Sequence, residues 1–146
     1  MSRQVQRRDF LKTTAAIGSG YFLAGTSLAA PSKSPNEKLN IGVVGVAHRG
    51  RANTDGCASE NFVALCDIND KYLAEAAQRF PKAKTYIDWR KMLDQKDIDA
   101  VIVSTTDHTH AFASVWAMRR GKHVYCEKPL AHSVHEARVM QDTYKK

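Results

Sequence analysis

Residues 39–67 constrain the fold of this chain more than any other stretch. Leu39, Ile41, Val43, Val44 and Val46 form an apolar, mostly β-branched run interrupted by Gly42 and Gly45. That is the pattern of a buried parallel strand entering a tight turn. A glycine-bearing turn and a polar helical segment follow, and a second apolar run, Phe62, Val63, Ala64, Leu65, Cys66, ends on the carboxylate of Asp67.

The turn reads Gly45, Val46, Ala47, His48, Arg49, Gly50, or G-x-A-x-x-G. This is one substitution from the fingerprint that places a dinucleotide pyrophosphate on a helix N-terminus. Gly45 serves the tight turn, the small residue at 47 lets the backbone approach the phosphates, and Gly50 lets the helix pack on the strand. The methyl group of Ala47 narrows that approach without closing it. Asp67, twenty-two positions after Gly45, is placed to accept hydrogen bonds from ribose hydroxyls and to repel an added phosphate, which favours NAD. Arg49 and Arg51 keep NADP open, because an arginine pairs readily with a 2′-phosphate.

Residues 1–30 carry a different signal. Arg7 and Arg8 precede Asp9, Phe10, Leu11 and Lys12, and a weakly apolar run with Gly18, Gly20 and Gly25 follows. This resembles a twin-arginine export leader, with Gln6 where a hydroxyl residue is more usual. Ser27, Leu28, Ala29 offer a small-x-small cleavage site, and residues 31–38 read as a linker. The run falls short of the ~18–20 strongly apolar residues of a spanning helix, so cleavage rather than permanent anchoring is expected. The protein is then expected to be exported by the twin-arginine route, periplasmic or extracellular, with no stable membrane span after removal of the leader.

The formal charge is +7 over 146 residues, and Arg3, Arg7, Arg8 and Lys12 against Asp9 supply part of that surplus. The remainder is mildly basic and holds no basic run flanked by aromatics, so a nucleic-acid partner is not expected. About 116 residues follow the leader, enough for one domain with a core. Cys57, Cys66 and Cys126 show neither C-x-x-C nor zinc-finger spacing. Cys66 and Cys126 fall in apolar strand patterns and read as small buried hydrophobes.

Beyond Asp67, Asn69 is placed to cap a helix bearing Tyr72, Leu73, Ala76, Ala77 and Phe80 on one face, with Pro81 after its end. A strand near 85–87 and a short helix from Asp88, with Trp89, Met92 and Leu93 inward, come next. Ile98, Ala100, Val101, Ile102 and Val103 form a further apolar strand. A helix over about 109–120, burying Phe112, Val115 and Trp116, stops at Gly121. His123, Val124, Tyr125 and Cys126 make the next strand, and Ser133 to Glu136 is a capping box opening a last helix. Strict strand–helix alternation with near-continuous apolar strands predicts an α/β fold, a doubly wound parallel sheet of Rossmann type over residues 39–146, incomplete at its C-terminus.

Ligands of such sheets bind at the carboxyl ends of the strands. Two clusters fall there: Ser104 to His110 after the fourth strand, and Glu127, Lys128, Pro129 after the fifth. Asp107, His108 and His110 are metal-ligand types, yet the i, i+2 spacing of the histidines turns them apart and no third imidazole or thiolate joins them, so no metal site is expected. Asp107 or Thr109 is a candidate cap for the next helix. Lys128 sits where Pro129 limits backbone freedom. Partial burial beside a nicotinamide would lower its pKa and suit it to proton transfer.

The segments G-V-V-G-V-A-H-R-G, C-D-I-N, D-A-V-I-V-S-T-T-D-H-T-H-A and G-K-H-V-Y-C-E-K-P-L together resemble the N-terminal NAD(P)-binding half of the Gfo/Idh/MocA family of glucose-fructose oxidoreductase and inositol dehydrogenase, particularly its twin-arginine-exported members. The resemblance implies hydride transfer between nicotinamide and a carbon of a sugar or cyclitol. It implies that Lys128 contacts the reacting hydroxyl as the catalytic residue and that Glu127 lies beside the cofactor. Gly45, Ala47, His48, Arg49 and Gly50 would hold the pyrophosphate, and Asp67 the ribose. Thr105, His108 and His110, with Asp107, would belong to the nicotinamide-side wall.

Thr106 stands where the family usually has proline. The resemblance further implies a second domain, absent from this sequence, that supplies the substrate wall and a catalytic histidine. The chain is therefore expected to be a fragment of such an oxidoreductase, homo-oligomeric or not in its full-length form. Some exported relatives cleave glycosides through transient oxidation by tightly held NAD, which leaves net hydrolysis open. The competing reading is a non-catalytic NAD-binding module.

Overall fold

The computed structural model describes residues 38–146; the expected leader and all but the last residue of the expected linker lie outside the described residues. Among the described residues, five strands alternate with five helices. In chain order they are β1 (Asn40–Val44), α1 (Arg49–Gly56), β2 (Asn61–Cys66), α2 (Asp70–Arg79), β3 (Lys84–Tyr86), α3 (Trp89–Leu93), β4 (Ala100–Val103), α4 (Asp107–Met118), β5 (His123–Cys126) and α5 (Val134–Tyr144). The strands form one parallel sheet in the order β3-β2-β1-β4-β5. Strand order therefore reverses between β1 and β4, and the loops leaving those two strands part there, which opens a crevice at their carboxyl ends.

Strand side chains alternate between two apolar layers, except that the register shift between β1 and β2 puts Phe62 and Leu65 in the same layer. Ile41, Val43, Phe62, Leu65 and Ile102 pack with Leu73 and Ala76 of α2 on one face. Val44, Ala64, Cys66, Val101 and Val103 pack with Met92 and Leu93 of α3 and with Ala113 and Ala117 of α4 on the other. Both faces are covered, so the central strands carry the continuous apolar pattern seen in the sequence.

Helix ends follow local chemistry. The Asn69 side chain accepts from the N–H groups of Lys71 and Tyr72, and Asp88 accepts from Arg90 N–H. Ser133 and Glu136 form both halves of a capping box. After α4 the chain reverses through Gly121 at φ +71°, with Lys122 N–H reaching back to Ala117 O at 3.2 Å, a closure that glycine adopts without strain.

Helix α4 departs from the sequence expectation in both start and facing. It begins at Asp107, with Thr106 in the N-cap position and making no side-chain cap bond. Asp107 and Thr109 therefore do not cap it; the Thr109 hydroxyl donates instead to Thr106 O at 2.8 Å. The buried residues are His110, Ala111, Ala113, Ser114 and Ala117, whereas Phe112 is 60% exposed and Trp116 38% exposed. Small side chains let the helix axis approach the sheet closely, and that approach displaces the large aromatics to its flanks. Trp116 packs edge-on to Trp89 at 5.9 Å, under the Arg120 guanidinium at 4.5 Å.

Candidate functional site

Because all five strands run the same way, the segments after β1, β2, β4 and β5 meet at one edge of the sheet. The turn after β1 is held from both sides. Gly45 takes φ +87° and its N–H donates to Cys66 O at 2.8 Å. A Cβ there would stand 2.6 Å from Ser104 O, and a Cβ at Gly50 would stand 1.8 Å from Gly45 O. Both glycines are therefore fixed by close backbone approach, as the turn reading requires.

Asp67 closes this turn directly. One carboxylate oxygen accepts from Val46 N–H at 3.0 Å and the other from Asn69 N–H at 2.9 Å. The acid thus lies at the mouth of the glycine turn, and each oxygen keeps a further lone pair for an outside donor.

Helix α1 begins with its N-terminus open. His48, in the N-cap position, makes no side-chain cap bond, and the first turn holds no acid. Its backbone sits at φ 47°, ψ −109°, a conformation costing about 1–3 kcal/mol in a non-glycine residue. Its ring stands edge-on to Tyr72 at 5.3 Å. The Gly50 and Arg51 N–H groups turn in to Ala47 O at 2.8 and 3.4 Å, so an anion at this helix start is favoured by the helix dipole and by the backbone ahead of them, which the glycine cradle leaves bare. A dinucleotide pyrophosphate fits these residues, with the ribose at Asp67. A small cleft of about 280 Å³, lined by Ala47, His48, Arg51, Tyr72 and Glu75 among others, flanks the turn on the α2 side; Asp67, Glu127 and Lys128 do not line it.

On the β4–β5 side the E-K-P turn is tied to α1. Glu127 is 7% exposed. Its N–H donates to Val103 O at 2.9 Å, and its carboxylate accepts from Asn53 Nδ2 at 2.9 Å and Arg49 Nε at 3.0 Å. These bonds hold the Glu127 carboxyl below the ordinary glutamate range, Asn53 contributing most and Arg49 next. Asn53 Nδ2 also donates to Ser104 Oγ at 2.9 Å. Asn53 was not singled out from the sequence, although it stands four residues after Arg49, on the same face of α1.

Lys128 is exposed, where partial burial was expected. The described residues supply only one wall at this point, so nothing covers the ammonium group. The peptide bond from Lys128 to Pro129 is cis.

The wall residues divide. His108 is exposed, with Nε2 3.3 Å from Thr106 Oγ1 and its N–H donating to Asp107 Oδ1 at 2.8 Å. His110 is 1% exposed, its Nδ1 2.7 Å from Pro129 O and its Nε2 2.9 Å from Thr105 O. The two histidines thus point apart, and both nitrogens of His110 are engaged inside the fold. Thr105 pairs through its hydroxyl with Thr109. Among the described residues no cluster of three His, Cys, Asp or Glu is placed to hold a metal.

Lys122 is a second residue whose role was not legible. It is 8% exposed, and its ammonium donates to Gln95 O at 2.8 Å and Ile98 O at 3.1 Å, fastening the segment that leads into β4. Burial pushes its pKa down. Burial also raises the thiols, Cys66 to about 12 and Cys126 in the same direction, so neither is a reactive nucleophile.

A doubly wound sheet with a glycine turn at the switch point, an acid closing the second strand and an open helix N-terminus defines a dinucleotide-binding domain of Rossmann type. Residues 13–146 match the profile of a family described as "Oxidoreductase family, NAD-binding Rossmann fold"; the chain belongs to this family, the Gfo/Idh/MocA oxidoreductases. It is 32% identical over 120 residues to levoglucosan dehydrogenase of Pseudarthrobacter phenanthrenivorans, covering 75% of this chain and 31% of that protein. It is 30% identical over 168 residues to the alpha-N-acetylgalactosaminidase of Shewanella oneidensis, covering 95% and 37% respectively. A solved levoglucosan dehydrogenase in complex with NADH and levoglucosan superimposes with a TM-score of 0.68 at 33% identity, over 75% of this chain and 32% of that one. The chain spans about a third of the length of these relatives.

Proposed function

We propose that this chain is the nucleotide-binding part of an exported oxidoreductase that moves hydride between NAD and a carbon of a sugar or cyclitol. One juxtaposition carries the reading: the glycine turn closed by Asp67 and the E-K-P turn bearing Lys128 lie at the same end of one parallel sheet, joined through Arg49, Asn53 and Glu127. Bound NAD would supply the hydride-accepting ring. The chain's own groups would do the rest. The turn and the α1 N-terminus bind the diphosphate, Asp67 orients the ribose, and Lys128 exchanges a proton with the reacting hydroxyl. Water exclusion and substrate orientation need a second wall, provided by residues of a substrate domain outside this sequence.

NADH titration followed by energy transfer from protein aromatics tests the cofactor half. Saturable binding is expected, weakened in Asp67→Ala more than in Asp67→Asn, which keeps an acceptor for Val46 N–H. Absence of binding at millimolar NADH in a folded sample refutes it. Sugar oxidation is tested on the protein encoded by the whole reading frame, with Lys128→Met abolishing turnover while NADH still binds.

A second reading rests on the relative named alpha-N-acetylgalactosaminidase: net glycoside cleavage with NAD retained. Release of aryl alcohol from an aryl glycoside without accumulation of NADH distinguishes it from dehydrogenation. The export half rests on Arg7, Arg8 and the Ser27-Leu28-Ala29 triplet. It predicts a mature N-terminus just after the Ser27-Leu28-Ala29 triplet in the periplasmic or secreted fraction, lost when Arg7 and Arg8 are both replaced by lysine. An intact Met1 on the exported protein overturns it.

A further inference from the structure

Among the described residues, the exposed turn at Lys128, Pro129 and Leu130 has one buried anchor that a nitrogen makes. Glu127, before it, is bound through Val103 O, Arg49 and Asn53. Beyond that, Pro129 has no N–H to give, and the Cys126 thiol, a weak donor, reaches Leu130 O at 3.7 Å. The Pro129 carbonyl, next to Lys128 in the chain, meets Nδ1 of His110 at 2.7 Å. The opposite nitrogen of that ring meets Thr105 O, in the segment after β4, at 2.9 Å. Carbonyl oxygens only accept, so each contact is a hydrogen bond only where the ring nitrogen carries a proton. A buried imidazole with a main-chain acceptor at each end is a spacer of fixed length between the two loops that frame the site.

We propose that His110 is a positioning residue for Lys128: by donating from Nδ1 to Pro129 O it fixes the E-K-P turn at a set distance from the loop after β4. It rests on the reading of Lys128 as the proton-transfer lysine, and it gives His110 a task that needs no contact with cofactor. Placement at this level matters, because a displacement of about 1 Å of a reacting group can lower a rate ~100-fold.

Two near-isosteres separate the two ends of the ring. The side-chain NH2 of Asn overlays Nδ1, and that of Gln overlays Nε2. In the folded chain, His110→Asn is expected to keep the backbone nitrogen relaxation of Lys128 and Leu130 close to the parent's, while His110→Gln brings both residues fast local motion that amides of α5 do not show. A purely structural role for the ring predicts equal changes in both variants, and that result overturns the proposal. Should either variant fail to fold, a long-range proton–nitrogen correlation on the unsubstituted chain decides. A protonated, slowly exchanging Nδ1 supports the tie, and a bare Nδ1 refutes it. NADH titration of the same samples keeps the two readings apart. A bare Nδ1 in an unsubstituted chain that binds NADH defeats this inference alone, whereas a protonated Nδ1 in a chain that binds no NADH defeats the cofactor reading alone.

Discussion

Replacing Gly50 by alanine tests the glycine turn at its tightest point, and Gly56 on the same helix serves as the control. A methyl carbon at Gly50 would lie 1.8 Å from Gly45 O, and that gap must open beyond 3.0 Å before the contact resembles any real one. The obstructing atom is backbone, not the end of a mobile side chain. Gly45 cannot simply retreat, because its N–H is bound to Cys66 O and its other flank lies against Ser104 O. Forced repacking of this kind costs about 1–3 kcal/mol, and a backbone obstacle places it at the upper end. Alanine returns about 1 kcal/mol of helix propensity, so the net loss is roughly 2 kcal/mol. For a domain of this size that lowers Tm by about 8–10 °C. Gly56 has nothing within 4 Å of its built Cβ and no left-handed backbone. Gly56→Ala is therefore expected to stabilise by about 0.5–1 kcal/mol. Thermal melts by far-ultraviolet circular dichroism give both numbers. NADH titration is expected to show at least a tenfold loss for Gly50→Ala, about 1.4 kcal/mol, and none for Gly56→Ala. Equal shifts of the same sign in the two variants, or a Gly50→Ala melt matching the parent, would refute the reasoning.

Three further outcomes follow from named contacts. Glu127 is held below its usual pKa by Asn53 and Arg49; a carboxyl depressed on folding contributes stability that is complete above its unfolded value and is lost as pH falls through the folded one. Glu127→Gln should therefore lower stability most at neutral pH and approach the parent as pH falls, flattening the acid limb of stability against pH, and urea titrations at stepped pH measure the slope. Lys122→Met leaves Gln95 O and Ile98 O without their donor and should lower stability by about 1–3 kcal/mol in urea unfolding. Phe112→Ser, on the exposed flank of α4, should fall within about 0.5 kcal/mol of the parent, whereas Ala113→Leu, at 0% exposure, should destabilise by about 1–3 kcal/mol; the reverse ranking would mean the helix is turned as its aromatics suggested.

How much was legible depends on how local the cause is. Strand order in sequence, the capping roles of Asn69 and Ser133, the reversal at Gly121 and the glycine turn all arise from a few neighbouring residues, and each has its counterpart in the structure. The facing of α4 was misread because Phe112 and Trp116 outweigh alanine on any hydrophobic scale, yet close approach to the sheet selects Ala113, Ser114 and Ala117. Asn53 and Lys122 were passed over because their partners lie 74 and up to 27 residues away.

By itself, then, the sequence determined a parallel α/β sheet and the chemical types at its ligand end, since hydrophobic periodicity and turn chemistry are short-range properties of the chain. Only the tertiary structure decided which of those groups are free and which are already engaged. Asp67 is spent partly on the turn it closes and Glu127 on Arg49 and Asn53, and His110 is enclosed between two carbonyls, while Lys128 stands open. The physical reason is that a hydrogen bond between loops depends on strand order and register, and those are set when the layers pack, far from either residue in the chain.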